Sequence, residues 1–147
     1  MEDRIIISRS PEETEQAGAW LAGFLGPDSF IALDGELGAG KTAFVRGLAS
    51  ILCPGAKVKS PTYAIVRTYP AKTADGKDTT LCHFDMYRIA DEDDLYSCGW
   101  DDYEGNIIAA EWMANVPFAL PEKYISVNIT KLGENEREIT IRQEGTY

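Results

Sequence analysis

The stretch Gly35-Glu36-Leu37-Gly38-Ala39-Gly40-Lys41-Thr42 decides how the rest of the chain is read. It satisfies the pattern G-x-x-x-x-G-K-[ST] in full, which a chain of 147 residues with average composition would show by chance about once in 200 cases. Its flanks strengthen the reading. Residues 29–34 form a short, mostly apolar run suited to a strand buried on both faces of a parallel sheet. From Lys41 onward Phe44, Val45, Leu48 and Leu52 recur at helical period until Pro54-Gly55. Strand, glycine-rich loop and helix thus follow in the order that a phosphate-binding loop requires.

The residue types explain the chemistry. Gly35, Gly38 and Gly40 open backbone conformations closed to other residues, so successive N–H groups can turn inward around phosphate oxygens, helped by the positive end of the next helix. Glu36, Leu37, Gly38, Ala39, Gly40, Lys41, Thr42 and Ala43 are the candidate nucleotide-binding residues. Lys41 would contact the β and γ phosphates, and the Thr42 hydroxyl would ligate Mg²⁺, an ion that keeps several waters and shares its ligands between protein and phosphate. Replacing Lys41 is expected to remove nucleotide binding or turnover rather than the fold.

Working outward, Ser10 is placed to cap a helix that begins at Pro11, with Glu13 completing a capping box. Ala17, Leu21, Phe24 and Leu25 form its core-facing stripe, and Gly26-Pro27 stops it. Residues 4–8 carry three consecutive isoleucines. Residues 63–69 and 79–88 read as two strands of a hairpin, separated by a polar stretch with an Asp75-Gly76 turn signal. Asp91-Glu92-Asp93-Asp94 opens a short segment ending at Gly99, its acids suiting a helix N-terminus. Residues 106–110 are a further buried strand, with Glu111-Trp112 at its exit, and residues 124–130 and 138–142 alternate around Gly133-Glu134-Asn135 as a closing antiparallel hairpin. The expectation is one α/β domain over residues 1–147 with a P-loop NTPase fold. Its central sheet would be mostly parallel and flanked by helices, with an antiparallel C-terminal hairpin.

Composition narrows the partners. Apolar residues make up 44% and charged residues 26%, as in an ordinary folded domain, and the formal net charge is −10. A protein so acidic lacks the cationic footprint for binding nucleic acid tightly by itself. No apolar run reaches the ~18 residues of a membrane span, and the N-terminus lacks a basic leader, so the expected location is the cytoplasm, with no membrane partner. Cys53, Cys82 and Cys98 form no Cys-x-x-Cys pair and read as reduced thiols.

Hydrolysis needs acidic groups beyond the loop. Asp85 closes Leu81-Cys82-His83-Phe84-Asp85, where strand alternation puts it on the same face as His83. It resembles a Walker B aspartate that would serve Mg²⁺; the other reading is a surface carboxylate. Glu111 lies beyond the carboxyl end of a buried strand, where open α/β sheets place ligands. It is either a catalytic carboxylate or a strand-terminating surface acid. His83 alone reads as a hydrogen-bonded structural residue. No Asn-Lys-x-Asp-like guanine reader is present, and the length leaves little room for the arginine-bearing lid of a small-molecule kinase. A kinase of that kind and a non-hydrolysing, ATP-gated binding module are the alternative functions.

The loop, then Ser60-Pro61-Thr62-Tyr63, then His83-Phe84-Asp85-Met86-Tyr87-Arg88 with Leu95 and Gly99 downstream, then Glu111-Trp112, occur in order between about residues 10 and 125. This set resembles the bacterial TsaE family. The resemblance implies an ATPase needed for the threonylcarbamoyl (t6A) modification of adenosine 37 in tRNAs that read codons starting with A. It also implies action with TsaD, which transfers the group, and TsaB, which pairs with TsaD, so that tRNA is met only through the complex. By the same resemblance Lys41 and Thr42 serve phosphate and Mg²⁺, Asp85 the Mg²⁺ sphere, and Glu111 the metal or the attacking water. Trp112 would take the adenine ring, and Thr62 would lie in a switch loop sensing the γ phosphate. Met113 departs from the proline that many relatives carry.

Overall fold

The computed structural model describes residues 1–36, 38–61 and 65–145. Leu37 and Thr62, and Tyr63 at the start of the expected strand 63–69, lie outside the described residues. Within them the strands are β1 (Arg4–Ser8), β2 (Phe30–Gly35), β3 (Val66–Lys72), β4 (Asp78–Asp85), β5 (Ile107–Glu111), β6 (Tyr124–Lys131) and β7 (Arg137–Glu144). The helices are α1 (Pro11–Ala22), α2 (Lys41–Leu52) and α3 (Glu92–Ser97).

All seven strands join one sheet in the spatial order β1-β7-β6-β2-β5-β4-β3. The four strands β6, β2, β5 and β4 run parallel, whereas β1 with β7, β7 with β6, and β3 with β4 pair antiparallel. The sheet is therefore mixed, and the expectation of a mostly parallel one is corrected. The reason is connection length. Parallel neighbours need a crossover of a dozen or more residues, while β3–β4 and β6–β7 are joined by short turns at residues 73–77 and 132–136 that permit only hairpins. The isoleucine run forms β1, which closes the edge beside β7.

β2 is buried on both faces, as its unbroken apolar run requires. Ile31 and Leu33 join a core beneath α1 and α2 with Leu21, Phe44 and Leu48. Phe30 and Ala32 join a second core on the opposite face with Phe84, Trp100 and Met113. The stripe of α2 is buried as expected. In α1 the Ser10 side chain accepts the Glu13 N–H at 3.1 Å, and the Glu13 carboxylate accepts the Arg9 N–H at 3.0 Å. That helix ends at Ala22, so Phe24 does not join its core stripe; the ring is 52% exposed and rests edge-on against Trp20. β4 likewise stops at Asp85 rather than continuing to Arg88. The Asp85 carboxylate accepts the Tyr87 N–H at 3.0 Å and the Ile89 N–H turns back to the Met86 carbonyl. All three cysteines are free, and burial pushes the Cys82 thiol up to about 11. Among the described residues no helix is long and apolar enough to cross a membrane.

Two helical glycines set how closely α1 and α2 approach each other. A Cβ at Gly18 would lie 2.1 Å from the Phe44 carbonyl oxygen, and one at Gly47 would lie 1.9 Å from the Glu15 carbonyl oxygen. The helices thus cross backbone to backbone, which brings the first turn of α1 beside the start of α2. Gly47→Ala should force them apart and cost about 1–3 kcal/mol or more despite the better helix propensity of alanine. Gly133→Ala, at an open position, should stay within about 0.5 kcal/mol. Urea denaturation of both variants checks the contrast.

Candidate functional site

The turn from β2 into α2 forms one wall of a cleft of about 720 Å³, lined there by Gly38, Ala39, Gly40, Lys41, Thr42 and Ala43. Gly38 at φ 79° and Gly40 at φ 108° occupy the left-handed region that glycine enters freely. Gly40 is also the residue before α2, and it offers no side-chain cap. The first-turn N–H groups of that helix, which have no partners within it, remain available to an anion. Glu36 stands exposed beside the cleft, its carbonyl accepting the Ala39 N–H at 3.0 Å. Ser10, the N-cap of α1, and Thr14 within that helix also line the cleft, a contribution that helix periodicity does not reveal.

The loop is also held by Arg137, the first residue of β7 and itself part of the cleft lining. Its Nε donates to the Ala39 carbonyl at 3.0 Å and its Nη2 to the Gly38 carbonyl at 3.4 Å. Nη1 donates to the carbonyls of Gly133, Glu134 and Glu136 in the preceding turn. One guanidinium thus occupies loop carbonyls from the C-terminal hairpin. Arg137 was not among the residues expected from sequence, because nothing local marks an arginine 98 positions from its acceptor.

At the base of the cleft lies a chain of buried polar groups. Lys41 is 7% exposed; its Nζ donates to the Gly35 carbonyl at 2.7 Å and stands 3.6 Å from Glu111 Oε1. The other carboxylate oxygen of Glu111 lies 2.5 Å from His83 Nε2. His83 is fully buried, and its Nδ1 has no hydrogen-bond partner among the described residues. β4 and β5 are in parallel register with Asp85 opposite Glu111, so these two strands end at one level, while β2, with Leu33 opposite Glu111, runs two residues further to Gly35. Asp85 and Glu111 are each 6% exposed and both line the cleft. Neither is a surface acid. The Trp112 ring covers the Lys41 ammonium at 4.4 Å and leans on Tyr87 at 5.2 Å, with Trp112 itself at φ 62°, a strained conformation for a bulky residue.

Asp34, at the end of β2, was also not singled out by the sequence. Burial raises its pKa above the ordinary 3.8, and the nearby Lys41 charge offsets only part of that. Among the described residues no group of three or more His, Cys, Asp or Glu side chains is arranged to hold a metal ion. Thr42, Asp85 and Glu111 offer only oxygen donors at the cleft, the donor type that suits Mg²⁺ sharing its sphere with phosphate and water.

The sequence model of the family described as Threonylcarbamoyl adenosine biosynthesis protein TsaE matches residues 8–139. A protein of Bacillus subtilis strain 168 named tRNA threonylcarbamoyladenosine biosynthesis protein TsaE is 36% identical over 138 residues, covering 92% of this chain and 83% of its own. One of the same name from Rickettsia felis is 34% identical over 139 residues, covering 93% and 78%. The crystal structure of Bacillus subtilis YdiB superposes with a TM-score of 0.78 at 29% identity, over 99% of this chain and 87% of that one.

Asp34 yields a pH prediction. Its carboxyl binds a proton more tightly in the folded than in the unfolded chain, so its contribution to stability is full below the ordinary 3.8 and is lost as pH rises through the folded value. Asp34→Asn should therefore unfold at a higher temperature than the parent at pH 7, and the gain should vanish on acidification below pH 3.8. Thermal melts across that range check it.

Proposed function

The chain belongs to the TsaE family, and on that premise we propose that it is a Mg²⁺-dependent ATPase. It acts as one P-loop NTPase domain over residues 1–147, serving t6A modification of adenosine 37 in tRNAs that read codons starting with A, together with a TsaB–TsaD complex. The observation that carries this reading is the Lys41 ammonium, buried at the base of the glycine loop and 3.6 Å from the equally buried Glu111 carboxylate. A stable pair of this kind is ready to be divided when a phosphate competes for the lysine.

The loop N–H groups and the start of α2 bind the phosphates, while Arg137 keeps the loop carbonyls engaged elsewhere. Lys41 leaves the Gly35 carbonyl and Glu111 for the β and γ phosphates. Glu111 is then released to orient the attacking water and take its proton. Thr42 and Asp85, with Glu111 in the reading that gives it to the metal and not to the water, would hold Mg²⁺, which would neutralise phosphate charge. The Trp112 ring, beside Lys41, packs against the nucleotide. Asp85 is tied to the segment that follows Ser60, because its N–H donates to the Ile65 carbonyl and the Ile65 N–H to the Pro61 carbonyl, both at 2.8 Å. Loss of the γ phosphate would thus be felt in that segment and at a partner surface. With a net charge of −10, contact with tRNA runs through the complex.

ATP hydrolysis with Mg²⁺ tests the reading, alone and with a TsaB–TsaD pair, and with Lys41→Ala as the blank. Turnover should rise sharply with the pair and vanish in the blank. Glu111→Gln should lower kcat by about 10²- to 10⁴-fold. Equal turnover with and without the pair would remove the partner role, and unchanged turnover in Glu111→Gln would remove the catalytic assignment. Phosphate transfer to a small acceptor would mark a kinase instead.

A further inference from the structure

We propose that His83 is the positioning residue for Glu111: its Nε2–H holds one carboxylate oxygen in place, so that the other stays aimed at the phosphate loop while Lys41 changes partners. The inference rests on the ATPase reading above and names a further residue of that site.

Geometry comes first. His83 lies directly across from Ala109 in the β4–β5 register, and Glu111 is two residues further along β5 on the same face. The methyl of Ala109 leaves room for the imidazole to reach this diagonal neighbour, which it meets at 2.5 Å. A carboxylate only accepts, so the ring proton on this contact sits on Nε2. The other ring nitrogen, Nδ1, is buried and has no hydrogen-bond partner among the described residues. A side chain kept merely to fill this space would be apolar, since an unsatisfied buried polar atom carries its desolvation penalty uncompensated. The histidine is explained by what its other nitrogen does.

The two partners of Glu111 differ in one respect. Lys41 has to leave Oε1 when phosphate arrives, whereas His83 sits in the sheet floor with no exposed surface and, among the described residues, no other hydrogen-bond partner. Without His83, departure of Lys41 would strand a buried carboxylate, which would then swing toward solvent or keep the lysine. With it, Oε2 is fixed and Oε1 remains the basic atom facing the cleft. This is the role that outer partners play for ligating groups elsewhere.

The experiment uses the full chain, where His83 is the sole histidine and its ring nitrogens are identified without ambiguity. Long-range ¹H–¹⁵N NMR should show the proton on Nε2 with a downfield resonance that moves in Glu111→Gln. In turnover assays His83→Leu should lower kcat by about 10- to 100-fold with a much smaller change in the KM for MgATP. His83→Gln, whose amide N–H₂ reaches toward the same oxygen, should recover most of it. In a Glu111→Gln background His83→Leu should cost nothing further. A ring protonated on Nδ1, full kcat in folded His83→Leu, no recovery in His83→Gln, or losses that add would each overturn the proposal. If the unsubstituted chain shows no turnover with or without TsaB–TsaD, the ATPase reading falls and the positioning role with it. A Nδ1–H ring in a chain that does turn over removes His83 alone, so the two failures are distinguishable.

Discussion

Burying the Lys41 ammonium obliges the sheet to bring acceptors to it, because an unpaired charge cannot be held away from water at tolerable cost. The Gly35 carbonyl comes from the end of β2 and the Glu111 carboxylate from the end of its parallel neighbour β5, whose last residue lies opposite Leu33, two residues before Gly35. A one-residue slip of β5 would turn Glu111 to the opposite face and leave the lysine with the carbonyl alone. The same register sets Asp85 opposite Glu111, so one alignment serves all three groups. Parallel pairing at the sheet centre is thus where the chemistry is decided.

The antiparallel half of the sheet reaches the same place by another route. β7 starts at Arg137, whose guanidinium spans the turn before it and the glycine loop. A loop of glycines is free to point either its carbonyls or its amides at the cleft. Engaging two loop carbonyls through the Arg137 side chain leaves the loop amides freer to face an anion. On the helical side, the close crossing at Gly18 and Gly47 brings the α1 N-terminus to the cleft wall. Three separate elements therefore converge on a loop whose own sequence offers little to hold it.

Charge is distributed unevenly in a way that fits this site. The cleft lining carries Lys41, Arg46 and Arg137 together with Asp85, Glu111 and Glu134, so it is formally neutral within a chain of net charge −10. A neutral concavity in an acidic surface repels a small anion less than the surroundings do. Strain is concentrated there too. Trp112 at φ 62° follows Glu111 directly, and Ile65 at φ 68° passes its carbonyl to Asp85, so the two non-glycine residues with left-handed backbone among those described both adjoin the acidic groups.

What the sequence by itself determined is local. The glycine loop with β2 before it and α2 after it, the Ser10 cap, and the two hairpins with their turns were legible, because capping, turn chemistry and hydrophobic period act over a few residues. Asp85 and Glu111 were legible as carboxylates at strand ends. Tertiary structure decided the rest. That β1 returns to pair with β7, that the sheet is mixed, and that Phe24 falls beyond the end of α1 depend on neighbours far along the chain. So do the pairing of His83 with Glu111, 28 residues apart, and the reach of Arg137 to Ala39, 98 residues apart. Such contacts leave no periodic trace, because they arise from how packed elements are aligned and not from what any one element needs in order to form.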